Sequence, residues 1–133
     1  MPNLTAWSPQ ALAVLRIMTA LLFLEHGTMK LFGFPAPMPG PLPPLIMAAA
    51  AIEIAAGALI ALGLFTRIAA LVASGEMAVA YFMSHASKSF WPILNMGEAA
   101  ILFCFVFLFL VFAGPGAWAL DNARGRRPAG PGA

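Results

Sequence analysis

Four stretches of the chain are almost entirely apolar, separated by short polar or proline-rich segments. A helix needs about 20 consecutive apolar residues to cross a bilayer. By that measure the pattern predicts spans over Ala11–Phe32, Leu45–Phe65, Ile68–Met83 and Ile93–Phe112, the third being the shortest. The connections agree. The segment Phe34–Pro44 holds six prolines and cannot continue a helix. Leu64–Arg67 reads as a tight turn after Gly63, and Ser84–Pro92 is a polar link in which Trp91 suits a membrane interface. Gly114-Pro115-Gly116 stops the last span, and the tail over residues 114–133, rich in Pro and Gly at its end, is expected to be partly disordered. The expected fold is all-α, a four-helix transmembrane bundle forming one membrane domain.

Composition sharpens this reading. The chain is 62% hydrophobic and 9% charged, against about 25% charged in an average soluble domain. Its polar residues are too few to cover a water-soluble surface. The net charge is +2 and the basic residues form no patch of the kind that binds nucleic acid. A single cysteine, Cys104, lies within an apolar run, which excludes an internal disulfide or a self-contained dithiol redox pair. No Lys or Arg precedes the first apolar run and no cleavage site follows it, so no secretory signal peptide is expected. With four spans, the N-terminus, the Leu64–Arg67 turn and the tail share one side. That side holds Arg67, Arg124, Arg126 and Arg127, with Arg16 near it, while the other holds Lys30 and Lys88. The positive-inside rule then places both termini in the cytoplasm of a bacterial cell, the protein being a multi-pass inner-membrane protein in contact with lipid.

The candidate chemistry lies in the few charges inside the spans. Each predicted helix carries one glutamate: Glu25, Glu53, Glu76 and Glu98. An ionisable group at the bilayer centre costs about 2.5–3.5 kcal/mol on insertion scales. Such groups should face the bundle interior, a cavity or one another. At a rise of about 1.5 Å per residue, Glu25, Glu53 and Glu98 fall in the outer half of the membrane, Glu76 lies nearer its middle, and His26, Lys30 and His85 lie at or above the outer level. Helical phase adds detail. His26 and Lys30 share a face, as do Tyr81 and His85, and Trp91, Asn95 and Glu98 form a further stripe. Glu25 is rotated by about 100° from His26. Ala49, Glu53, Gly57 and Ala61 form a stripe of mostly small residues that should pack inward and carry Glu53 into the core.

A di-iron carboxylate centre would need Glu-x-x-His on two helices. Here Glu25 and His26 are adjacent and His85 follows Glu76 by nine residues, so no metal site is expected. A structural role competes with a functional one. Glu25 could pair with Lys30 or Lys88, Glu53 or Glu76 with Arg16 or Arg67, and a protonated Glu98 could bond Asn95, fixing helix register.

Three segments carry a family resemblance. "RIMTALLFLEHGTMKLFGFP" resembles the first-helix signature of the DoxX family of small membrane proteins, with His-Gly-x-x-Lys-Leu-Phe-Gly at its end. "AIEIAAGALIALGLFTRIAAL" is similar to the family's second-helix pattern, and His85 and Glu98 stand where members often carry them. "GPGAWALD" resembles the closing Gly-x-Gly-x-x-Ser-Leu-Asp, with Ala119 in place of the serine, so any hydrogen bond from that hydroxyl is absent. The resemblance implies a four-helix inner-membrane protein. Some members look like membrane parts of redox complexes, including a thiosulfate:quinone oxidoreductase subunit.

Two functions follow as expectations. In the first, the protein is an oxidoreductase component acting on a membrane quinone. His26, Glu53 and Glu98 would be the catalytic groups, and Glu25, Lys30, Tyr81, His85 and Asn95 would bind the ligand. A quinone has apolar faces and needs donors and proton carriers at its oxygens. His26 or Lys30 would donate, and Glu53 and Glu98 would relay protons. The sequence carries no flavin, haem or iron–sulfur motif, so electrons would come from a soluble or membrane redox partner. In the second, the protein is a non-catalytic anchor or small-ligand binder, with the proline-rich loop or basic tail as contact surface. Phe103, Phe105, Phe107 and Phe109 are read as exposed, facing lipid or a second protomer in a homo-oligomer.

Overall fold

The computed structural model describes residues 2–125. Arg126, Arg127 and the far end of the tail lie outside them, and with them the expectation of disorder there. The described residues are all-helical, with no strand among them. A short 3₁₀ turn, Leu4–Trp7, leads into α1 (Ser8–Phe32); α2 (Pro44–Leu62), α3 (Thr66–Ser84), the one-turn α4 (Pro92–Asn95), α5 (Glu98–Ala113) and the short α6 (Leu120–Arg124) follow. The stretch Leu4–Phe32 and α2 are each long and apolar enough to cross a membrane, and α5 is a shorter apolar helix.

The four longer helices pack as two pairs, α1 along α2 and α3 along α5, joined mainly through α2 and α3. The first pair meets through glycine. A Cβ on Gly27 would stand 2.7 Å from Ile54 and 2.8 Å from the Ala50 carbonyl, and one on Gly57 would stand 3.2 Å from Leu24. Small residues allow this approach. The inward stripe on α2 follows: Glu53 and Gly57 are buried, and Ala49 and Ala61 are half-buried. Small side chains also fill the centre, where Ala20, Ala56, Ala69, Ala70 and Ala73 surround Phe23 and Phe107. The rings of Phe23 and Phe107 meet edge to face at 4.8 Å, and Phe103 lies over Phe107. Phe103 and Phe107 are therefore interior residues, unlike the expectation of exposure. They sit one turn apart on the inner face of α5, and Phe105, Phe109 and Phe112 cover its exposed side. The outer surface is strongly apolar, with Ile68, Phe82, Leu102 and Phe112 each at least 66% exposed.

The fourth predicted span is not one helix. Asn95 Oδ1 accepts the Gly97 amide at 2.8 Å, and Met96 takes a left-handed conformation. An asparagine side chain that bonds its own backbone two residues on competes with helix propagation. The break separates α4 from α5 and dissolves the predicted Trp91–Asn95–Glu98 stripe: Asn95 is buried and Glu98 is exposed.

At the opposite end of the pairs, the segment after α5 folds back onto the start of α1 and the α2–α3 turn. Gly63 ends α2 at φ +69°, a left-handed position glycine reaches without strain. A Cβ there would also collide with Ala119. The Gly63 carbonyl accepts the Asp121 amide at 2.8 Å, and the Pro9 carbonyl accepts that of Ala117 at 3.0 Å. Arg16, wholly buried, donates to the carbonyls of Pro115, Ala117 (3.1 Å) and Trp118 (3.0 Å). Arg67 donates to the carbonyls of Val111 and Phe112, both at 2.7 Å. These arginines thus close chain ends. They pair with no glutamate, contrary to the register-fixing alternative.

Asp121 caps α3 from 55 residues away. Its oxygens accept the amides of Phe65 (2.8 Å) and Thr66 (3.0 Å). A carboxylate at a helix N-terminus is favoured by the helix dipole. Burial pushes the Asp121 carboxyl up, but the amides of Thr66 and Phe65 and the nearby Arg124 outweigh it, so its pKa is lowered from the ordinary carboxylate value. A lowered folded-state pKa gives stability that is present above the unfolded value, about 3.9 for Asp, and lost as the pH falls through the folded one. Thermal midpoints of the detergent-solubilised protein should therefore drop on acidification below about pH 4. In Asp121→Asn the midpoint at neutral pH is lower and that part of the acid-dependent drop is absent.

Candidate functional site

A cavity of about 850 Å³ lies at the end where α1 finishes, α2 begins and α3 finishes, beneath the proline-rich loop. Its volume is within the roughly 300–1,000 Å³ range of small-molecule sites. Its walls are apolar, with Met29, Ile52, Val79, Met83 and Phe103 among them. Five ionisable residues also line it: His26 and Lys30 from α1, Glu53 from α2, Glu76 from α3, and His85 just past the end of α3.

Each is placed by local structure. His26 and Lys30 are one turn apart on α1 and so reach the cavity together. Lys30 Nζ donates to Glu53 Oε1 at 2.6 Å, the sole ion pair among the described residues. Glu53 is 1% exposed. Its second oxygen and both oxygens of Glu76 are buried with no hydrogen-bond partner. Glu25 pairs with neither Lys30, which turns inward to Glu53, nor Lys88.

The two histidines resemble each other in their bonding. His26 Nδ1–H donates to the Leu22 carbonyl at 2.8 Å, and His85 Nδ1–H donates to the Asn95 carbonyl at 2.9 Å. A carbonyl can only accept, so Nδ1 carries a proton in both rings. His85 is further held by its neighbours. Tyr81 stacks on it with centroids 6.3 Å apart, and Asn95 Nδ2 donates to the Tyr81 hydroxyl and the Ser89 carbonyl, both at 3.0 Å. Tyr81 and Asn95 thus lie behind His85 and do not line the cavity. Glu25 and Glu98 are exposed and lie outside it. For Glu25 the rotation of one residue from His26 accounts for this, and for Glu98 the helix break at Met96 does. Glu98 makes no bond to Asn95. No group of three or more His, Cys, Asp or Glu among the described residues is arranged to hold a metal ion. Cys104 is half-buried beside Ser74, whose hydroxyl donates to the Cys104 carbonyl at 2.8 Å.

Sequence reasoning alone missed two site features. The sequence marks Glu76 as an intramembrane acid but gives it no role at the site, and its place one turn before Ala80, which also lines the cavity, is the signal that points there. The Nδ1–H bonds of the histidines have no sequence signal, since they depend on main-chain carbonyls.

The described residues form an all-helical fold with a strongly apolar exterior and ionisable groups gathered in one cavity, the character of a helical membrane protein. The chain belongs to the DoxX family, whose model matches residues 11–86. A protein of Haemophilus influenzae Rd, described as uncharacterized, is 46% identical over 129 residues, covering 92% of this chain and 96% of its own length. A Mycobacterium tuberculosis protein, described as an uncharacterized membrane protein, is 28% identical over 143 residues, covering 93% of this chain and 87% of its own length. No solved structure matches the chain.

Proposed function

We propose that the protein is a four-span inner-membrane component of a quinone-linked redox system, with both termini cytoplasmic and the cavity in the periplasmic half of the bundle. One observation carries the reading: α1, α2, α3 and the residue that follows α3 bring His26, Lys30, Glu53, Glu76 and His85 to a single cavity with apolar walls. Apolar walls suit the faces of a quinone ring, and the polar groups suit its oxygens. Lys30 is the donor, using an N–H not engaged with Glu53. The carboxylates and His26 are the proton-carrying groups. Tyr81 and Asn95 act as positioning residues by fixing the His85 ring. Electrons come from a redox partner, since the chain has no flavin, haem or iron–sulfur motif of its own.

The test is solvent extraction of protein purified in detergent from native membranes. Quinone should be released in near-stoichiometric amount, and His26→Ala or Glu53→Gln should reduce it several-fold. Quinone-free protein, with these variants still holding a partner complex intact and active, would instead make the chain a non-catalytic anchor.

A further inference from the structure

The cavity is not walled equally on all sides. Its lining residues from α1, His26, Met29 and Lys30, are half-buried, whereas Ala48 and Ile52 of α2 and Val72, Gly75 and Val79 of α3 are exposed. α2 and α3 run antiparallel from the turn after Gly63, so residues equally far from that turn stand at one height. Ile52 and Gly75 each lie about ten residues from it, or about 15 Å along the axis. Between that level and the turn the seam is closed: Ala56 and Ile60 of α2 and Ala69, Ala70 and Ala73 of α3 are buried in one apolar cluster. At Gly75 the filling stops. A Cβ built there would meet no atom of the described residues within 4 Å, whereas at Gly27 and Gly57 a neighbouring helix occupies the space. Glycine is a poor helix former, and with no helix to approach at this position its contribution is the gap itself. The α1–α5 side is shut instead by Phe103, whose ring meets that of His26 edge to face at 5.5 Å and lies 5.7 Å from that of Phe23.

A hydrocarbon core is about 30 Å thick, so a gap that begins about 15 Å from the turn opens toward acyl chains rather than water. Its rim is apolar throughout, and the ionisable groups His26, Lys30, Glu53 and Glu76 lie inside it. A molecule with a polar ring and a long apolar chain matches that gradient from end to end. A phospholipid acyl chain does not, because it has no polar group to bring to the inner end. We propose that the seam between α2 and α3 is a lateral portal: the headgroup of a membrane quinone enters the cavity from the bilayer through it, and the isoprenoid chain stays in it when the headgroup is bound. Gly75 sets the width of the opening. The inference rests on the quinone reading and adds to it the route of entry and the position of the chain.

The test uses the full chain in lipid nanodiscs and two analogues of one benzoquinone, one with a long isoprenoid chain and one with a methyl group in its place. Displacing as few as two methylenes of a buried chain weakens binding about tenfold. Gly75→Phe, which fills the gap, should therefore weaken the long-chain analogue by about tenfold or more and leave the methyl analogue nearly unchanged. Ile52→Trp, from the other edge of the seam, should do the same. Leu71→Phe adds bulk to α3 at an exposed position outside the cavity and should change neither. A diazirine placed on the first isoprene unit should label the rim residues of α2 and α3 in the unaltered chain, a readout independent of how the variants fold. Labelling confined to α1 or α5, equal effects of Gly75→Phe on both analogues, or labelling of the rim by a diazirine phospholipid that the long-chain quinone does not displace would each overturn the portal and leave the quinone reading standing. If neither analogue binds the unaltered chain, the portal and that reading fall together.

Discussion

Arg16→Ala should be among the most damaging single substitutions in this chain. The guanidinium is wholly buried and serves three carbonyls, those of Pro115, Ala117 and Trp118, about a hundred residues away in sequence. A hydrogen bond from a charged donor contributes about 1.5–3 kcal/mol, and a buried carbonyl left without a donor carries its own cost. Truncation removes all three bonds at once, so the expected loss is at least about 3 kcal/mol. Lysine should not restore it. A single ammonium on a flexible stem cannot reproduce a planar fork that reaches three acceptors. The measurement is the thermal midpoint in detergent together with the rate of trypsin cleavage after Arg124. Both Arg16→Ala and Arg16→Lys should lower the midpoint and speed cleavage. A normal midpoint with unchanged cleavage would show that the closing segment is held by the Gly63, Pro9 and Asp121 contacts alone.

The same residue shows where sequence reasoning stops. Periodicity and hydropathy outlined α1, α2, α3 and the body of α5, because apolar runs and proline or glycine breaks are local signals. The inward course of Glu53 was also legible, since small residues four apart mark a face that a neighbouring helix can approach. Partner choice was not. Arg16 could equally have met a glutamate, because nothing local specifies that the chain returns after α5 to place carbonyls around it. Glu25 and His26 are adjacent in sequence, yet one is exposed and the other lines the cavity, which follows from phase only once the inner face of α1 is known. The break before α5 arises from one side-chain bond, Asn95 to the Gly97 amide, which hydropathy over a 20-residue window cannot register.

The Lys30–Glu53 pair allows structure and function to be separated by experiment. Removing one partner leaves the other as an uncompensated charge, which in a buried setting costs about 3–5 kcal/mol. Glu53→Ala should approach the lower end of that range, about 3 kcal/mol, because Lys30 keeps 17% of its side chain exposed and can recover some solvation. Replacing both by apolar residues of similar length, Lys30→Met with Glu53→Met, should restore most of the midpoint, since buried ion pairs exchanged for well-packed apolar groups are often neutral or stabilising. If the pair served only to fix helix register, the double variant would match the unaltered protein in every assay. If the cavity is a ligand site, the double variant should fold at near-normal stability and yet lose bound quinone several-fold, because it lacks both the cavity's ammonium group and one of its carboxylates. Stability recovered together with ligand would reduce the pair to a packing device and leave Glu76 and the histidines to account for the site. Stability recovered without ligand would tie the cost of a buried charge pair in this bundle to binding.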